Sequence, residues 1–200
     1  MSKPIIPPAK PSGAPGEAEE TLREIRRVLG ATPNIYRTAA HSPAALQSLW
    51  FQVGAASHMS LTARLREIIA LRVAQFNGCS YSLAAHTSMA VEVGIDSEQA
   101  LQYRQGVASD PKEQVVLDLI SKVVENRGHH TGFEVQAARA AGISDAEIVE
   151  VIALAGLYTF TNYLDCVADS EVDYPPADDL APAGKGLPSH PPPGKKSDCK

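Results

Sequence analysis

Three side chains able to do chemistry fall within one short stretch, Asn77-Gly78-Cys79-Ser80-Tyr81-Ser82-Leu83-Ala84-Ala85-His86. At 100° per residue, Cys79, Ser82 and His86 lie at about 0°, 300° and 340° around a helix, on one face about 60° wide. Gly78 interrupts the pattern before them, so Cys79 stands where a new helix begins. Unpaired amides and the helix dipole at such a position favour a thiolate and predict a lowered pKa for Cys79. His86, two turns further on, is placed to give or take a proton through Ser82 or a water. The competing readings are structural: a small buried cysteine and a core histidine with its ring nitrogens satisfied. Glu67 is a fourth candidate. It lies among Leu65, Ile68, Ile69 and Leu71, where a carboxylate needs a partner. It either joins this set or pairs on an exposed edge with Arg64, three residues back.

Helices must position these residues. Apolar residues recur at helical spacing over 17–29, from Pro43 onward through Val53, over 63–76, 80–93 and 97–105, from Pro111 to the Gly128 stop, over 131–142, and from Ser144 to about Ala168. Ser42-Pro43 and Asp110-Pro111 are cap-plus-proline starts. Ser144 and Glu147 have capping-box spacing. The 63–76 helix carries Leu65, Ile68, Ile69, Leu71 and Val73 around much of its circumference and should be largely buried. Arg64, Arg66 and Arg72 leave it an edge facing solvent or a polar partner. No long period-two alternation argues for a sheet, so the fold class is all-α. Gly94-Ile95 and Gly142-Ile143 sit in similar surroundings, a faint echo that ordinary helix-turn-helix chemistry explains.

Proline placement draws the domain limits. Five of the 15 prolines lie in residues 1–15 and seven in 175–193. Residues 1–16 and 177–200 therefore read as flexible or extended tails around a helical domain over 17–176. The 200-residue chain has a net charge of -5, which argues against a broad nucleic-acid surface. No run of about 18 apolar residues predicts a bilayer-spanning helix, and the N-terminus lacks a secretory h-region. The three cysteines, Cys79, Cys166 and Cys199, are too sparse for a disulfide framework, so a reducing cytoplasm is expected. Cys166, between Leu164 and Val167, reads as packed. His129-His130 have no metal-ligand spacing, and His41 and His58 read as loop or cap residues. Leu154, Leu157, Tyr158, Phe160, Tyr163 and Leu164 crowd the last helix with more apolar surface than one interior needs.

The pattern Leu61-Thr62-x4-Glu67, eleven residues, then Cys79-x-x-Ser82-x-x-x-His86 resembles the alkylhydroperoxidase D and carboxymuconolactone decarboxylase superfamily, in particular its peroxidase-related branch. Gly30-Ala31-Thr32-Pro33-Asn34-Ile35-Tyr36 is similar to that family's early segment, and Asn162 to Asp169 with Asp173-Tyr174-Pro175 to its C-terminal signature. The resemblance covers about residues 20–175. It implies an alkylhydroperoxidase D-like helical fold, a homo-oligomer (often a trimer or hexamer) and catalysis without metal or organic cofactor. The departure is Ser82, where peroxidatic members have a second cysteine; Glu67, Cys79 and His86 match. The resemblance therefore implies a one-cysteine, thiol-dependent peroxidase. Cys79 would attack a hydroperoxide, His86 oriented by Glu67 would handle the proton, and an external thiol or dithiol, or Cys199, would resolve the sulfenic acid. An acid–base enzyme like the family's lactone decarboxylases, using histidine and glutamate alone, is the alternative. A non-catalytic oligomeric protein is the third. No nucleic-acid or membrane partner is implied.

Overall fold

The computed structural model describes residues 3–10, 16–178 and 180. Among them are nine helices and no strand: α1 (Gly16–Leu29), α2 (Asn34–Ala39), α3 (Pro43–Ala56), α4 (Ala63–Asn77), α5 (Ser80–Glu92), α6 (Ser97–Gln105), α7 (Pro111–Asn126), α8 (Gly132–Ala140) and α9 (Asp145–Ala168). Eight match the sequence expectation within a few residues. The ninth, α2, is too short for hydrophobic periodicity to register. Pro33 precedes it without a side-chain cap, and five of its residues are buried.

Helix α4 is the axis of the fold, packed against α5, α6, α7 and α9. Ile68, Ile69, Ala70, Leu71 and Val73 are fully buried, as its apolar circumference predicts. Its three arginines all find polar partners. Arg64 donates to Glu113 Oε1 at 2.6 Å, Gly94 O at 2.8 Å and Tyr103 Oη at 2.7 Å. Arg66 donates to Leu61 O, and Arg72 to Ser121 Oγ and Arg104 O. Gly106 lies under the Arg72 guanidinium: its φ is +82°, and a Cβ would sit 3.3 Å from Arg72 Cζ. The position needs glycine twice over, for conformation and for space.

Both Gly-Ile turns are built alike. The amides of Ile95 and Ile143 reach back to Ala90 O and Ala138 O at 3.0 Å, and both isoleucines are buried. Each turn then opens a helix with a capping box, Asp96 with Gln99 and Ser144 with Glu147.

Residues 3–10 are extended, as their prolines require, but they are not a free tail. The amides of Ile5 and Ile6 both donate to Ala168 O, at 2.8 and 3.1 Å. Ala9 exchanges hydrogen bonds with Arg37, and His41 Nε2 lies 2.8 Å from Pro7 O. Beyond α9 the chain is tied down as well. Asp173 accepts from the Asn34 amide at 2.8 Å and from Tyr81 Oη at 2.7 Å, and Arg104 donates to Asp178 O. Cys199 and most of the expected C-terminal tail lie outside the described residues.

By length and composition alone, α9 is apolar enough to cross a bilayer. Here it is a core helix. Ile148, Val151, Leu154, Leu157 and Tyr158 are buried on one side, while Val149, Ile152, Phe160, Tyr163 and Val167 form an exposed stripe on the other.

Candidate active site

Gly78 is the joint on which the site is built. It ends α4 in the left-handed conformation, φ +65°. The Cys79 amide then closes back on Ala74 O at 3.0 Å, a helix-terminating turn that favours glycine. The same residue, Cys79, is the N-cap of α5: its Sγ accepts from the Ser82 amide at 3.5 Å. The thiol also donates to Ser82 Oγ at 3.4 Å. The expected grouping of Cys79 with Ser82 is present.

The expected ionisation is not. Cys79 is 1% exposed, and burial pushes its thiol up to about 12. The two hydrogen bonds from Ser82 pull the other way, and nearby Asp165 and Cys166 add to the rise. Local sequence correctly places an amide at the thiol, but desolvation of the charged form outweighs it.

Glu67 is not paired with Arg64, which Glu113 has taken. Its Oε2 lies 2.9 Å from His86 Nδ1 across the α4–α5 contact. A carboxylate accepts, so in this contact the imidazole donates from Nδ1 and Nε2 lies outside it. The imidazole also meets Tyr158 of α9 edge-on, with centroids 5.0 Å apart. Burial and the Glu67 charge raise the Tyr158 phenol well above its usual range. The side chains of His86 and Glu67 are 14% and 17% exposed, so the dyad is reachable from the surface. The four candidates thus form two pairs, Cys79 with Ser82 at the start of α5 and His86 of α5 with Glu67 of α4. No hydrogen bond joins the pairs.

Three neighbours went unrecognised in the sequence. Asp165 of α9 is 3% exposed with no hydrogen bond to either carboxylate oxygen. Burial pushes its carboxyl up to about 7, the Ser170 hydroxyl opposing the shift and Asp173 reinforcing it. Asn162, one turn earlier, is 1% exposed and also unpartnered. Their spacing of three on an otherwise apolar helix was the available signal. Cys166, expected to be packed, is exposed instead. Among the described residues, no three His, Cys, Asp or Glu side chains cluster to hold a metal. A surface cavity of about 480 Å³, lined in part by Arg64, Tyr103, Asp110 and Glu113, includes none of the candidate site residues.

Residues 40–118, which contain all four candidates, match the profile of the carboxymuconolactone decarboxylase family. No curated protein matches the sequence significantly. Among solved structures, an uncharacterized peroxidase-related protein from Silicibacter sp. TM1040 superposes with a TM-score of 0.74 at 21% identity, over 87% of this chain and 97% of its own. An alkylhydroperoxidase AhpD core from Ralstonia eutropha JMP134, also described as an uncharacterized peroxidase-related protein, gives 0.77 at 19% identity, over 86% and 94%. A variant of the debrominase Bmp8 in complex with 2,3,4-tribromopyrrole gives 0.71 at 17% identity, over 86% and 93%. What these structures share with the chain is the fold.

Proposed function

We infer, from the match of residues 40–118 to the carboxymuconolactone decarboxylase family profile, from the fold shared with alkylhydroperoxidase D-like structures and from the chemistry gathered at α5, that this chain reduces small hydroperoxides at a thiol centre. The carrying observation is the buried helix-capping thiol of Cys79 on the helix that also bears His86, whose partner Glu67 stands on α4. A thiolate attacks the terminal peroxide oxygen, the O–O bond breaks, and an alcohol or water leaves with the proton that His86 supplies. The sulfenic acid then condenses with a second thiol, releasing water and forming a disulfide, and an external dithiol restores the centre. No step calls for a metal or an organic cofactor. Reduced thiols imply a reducing compartment such as the cytoplasm.

One observation favours a second reading, acid–base chemistry without redox: the dyad is complete without the thiol, and burial keeps Cys79 protonated. Hydroperoxide consumption with a dithiol donor separates the two. Loss of turnover in Cys79→Ala supports the thiol reading. Lactone or 1,3-dicarbonyl turnover that survives Cys79→Ala and vanishes in His86→Ala replaces it.

Position 82 offers a gain-of-function test. Ser82 is 4% exposed, and its hydroxyl already lies 3.4 Å from Cys79 Sγ, so Ser82→Cys brings two sulfurs together with little change in volume. Dithiol-dependent peroxide turnover is expected to rise by at least about tenfold, equivalent to about 1.4 kcal/mol in the barrier. A variant that forms no bond between the two thiols and gains no turnover counts against a peroxidase scaffold.

Assembly is part of the proposal. Covering the α9 stripe of Ile152, Phe160, Tyr163 and Val167 favours a homo-oligomer such as a trimer or hexamer. Sedimentation at micromolar concentration is expected to give a multiple of the 21.3 kDa chain mass; a one-chain mass contradicts it.

A further inference from the structure

We propose that Asn162 and Asp165 of α9 are the polar subsite that holds a hydroperoxide against Cys79, and that this subsite is built for the smallest one, hydrogen peroxide. The proposal rests on the reading of the chain as a thiol peroxidase and names residues and substrate for that same site.

Helix geometry places the subsite. His86 of α5 meets Tyr158 of α9 with ring centroids 5.0 Å apart. Tyr81, nearer the start of α5, donates to Asp173, beyond the end of α9, at 2.7 Å. Together the two contacts make α5 and α9 antiparallel neighbours. Cys79 lies seven residues before His86, and Asp165 seven residues after Tyr158. Seven residues are nearly two turns, about 10.5 Å, and return to within about 20° of the same face. Two turns back along one helix and two turns forward along its antiparallel neighbour stay on one seam, so Asp165 stands at the level of Cys79. Asn162, three residues before Asp165, shares its face. The Asp165 charge is felt at the thiol, as this placement requires.

Both side chains are buried, and their amide and carboxylate atoms have no hydrogen-bond partner. Polar atoms orphaned at this depth are costly, and each calls for a partner. Cys79 is not that partner, because the thiol's own hydrogen bonds both go to Ser82. A small polar molecule lying between Cys79 and the pair satisfies all of them. With Asp165 ionised, the pair offers three acceptor oxygens and one amide nitrogen with two hydrogens. Hydrogen peroxide donates from both ends and accepts at both oxygens. An organic hydroperoxide has one donor and a carbon substituent, which the burial of Cys79 and Ser82 excludes.

With the peroxide held in this way, the Cys79 sulfur attacks one oxygen. An S–O bond forms, the O–O bond breaks, and two electrons pass from sulfur to the peroxide. The other oxygen leaves as water, with His86 conveying to it the proton that Cys79 gave up. One thiol and one peroxide give one sulfenic acid and one water.

The test is steady-state turnover by the full chain with a dithiol donor and hydrogen peroxide, tert-butyl hydroperoxide or cumene hydroperoxide. Wild-type kcat/KM is expected to be at least about tenfold higher for hydrogen peroxide than for cumene hydroperoxide. Asn162→Leu keeps the volume and removes both orphaned atoms, and Asp165→Asn keeps the shape and turns one acceptor into a donor. Each is expected to raise the KM for hydrogen peroxide at least about fivefold, whereas a merely structural role lowers the active fraction, and so kcat, with KM in place. If Asn162→Leu does not fold, Asp165→Asn decides, since it removes a buried charge. An unchanged KM in the folded variants, or a preference for cumene hydroperoxide, overturns the subsite and leaves the peroxidase reading standing. A wild-type chain that consumes none of the three overturns both.

Discussion

His86→Ala is expected to lower hydroperoxide turnover by at least about a hundredfold, the lower end of what positioned proton transfer contributes. His86 is the side chain at the dyad with a free ring nitrogen, since Nδ1 is committed to Glu67 at 2.9 Å. Removing the ring leaves the departing alkoxide without a local proton and leaves Glu67 as an unpaired, half-buried carboxylate beside Tyr158. Some stability is lost with it, about 1–3 kcal/mol. His86→Gln keeps the volume and one hydrogen bond to Glu67 but not the proton chemistry, so it should fold better and remain as inactive. Glu67→Gln keeps the His86 contact without the charge and is expected to fall between, at about tenfold. Steady-state peroxide consumption read beside melting temperature separates chemistry from folding. If His86→Gln retains more than a third of wild-type turnover, the dyad has no part in proton transfer.

The second large effect concerns stability. The Asp165 carboxyl ionises at about 7 in the folded chain, against about 4 when exposed to water. Between those values the native state holds a proton that the unfolded state has released. Low pH therefore favours the native state, and stability is lost as pH rises from about 4 through about 7, after which the penalty is complete. The full penalty is on the order of 4 kcal/mol. Asp165→Asn has nearly the same shape and removes the charge. It is expected to be more stable than wild type at pH 8 by about 1–3 kcal/mol, a few degrees in melting temperature, with the gain vanishing near pH 4. Ser170 hydroxyl, Asp173 and the Cys79 thiol face the same carboxyl. Repeating the series in Cys79→Ala checks that the titration belongs to Asp165. A gain identical at pH 5 and pH 8 contradicts the assignment.

What could be read from sequence was what neighbours along the chain determine. The helices at α4, α5, α7 and α9, the Ser144–Glu147 box and the Gly78 break all follow from local spacing and chain stiffness. The residues alone left Glu67 open between Arg64 and the site, and only the family resemblance implied its link to His86; the structure puts that link across α4 and α5, which are separated by Gly78 and Cys79 alone. The Cys79 thiol went wrong because its ionisation has two causes. The amide at its own helix start is local and visible; the burial contributed by α4 and α9 is not. Cys166 went wrong because Leu164 and Val167 suggested a packed surrounding, whereas helix phase places residue 166 between the buried and exposed faces. The docking of residues 3–10 escaped because proline predicts extended backbone without saying what the backbone lies against.

The position of α9 at the end of the domain has a consequence for biosynthesis. This helix, covering the α4–α5 junction, is the last to emerge. At ~5–20 residues per second, the 87 positions from Cys79 to Cys166 take roughly 4–17 s to translate. For that interval Cys79 has no α9 to shield it, and the thiol that burial later protects is open to chance oxidants and to neighbouring nascent chains. Ala168, where residues 5 and 6 anchor, and Asp173, which ties α2 to α5, arrive later still. Closure of the thiol centre therefore waits on α9, the last helix among the described residues.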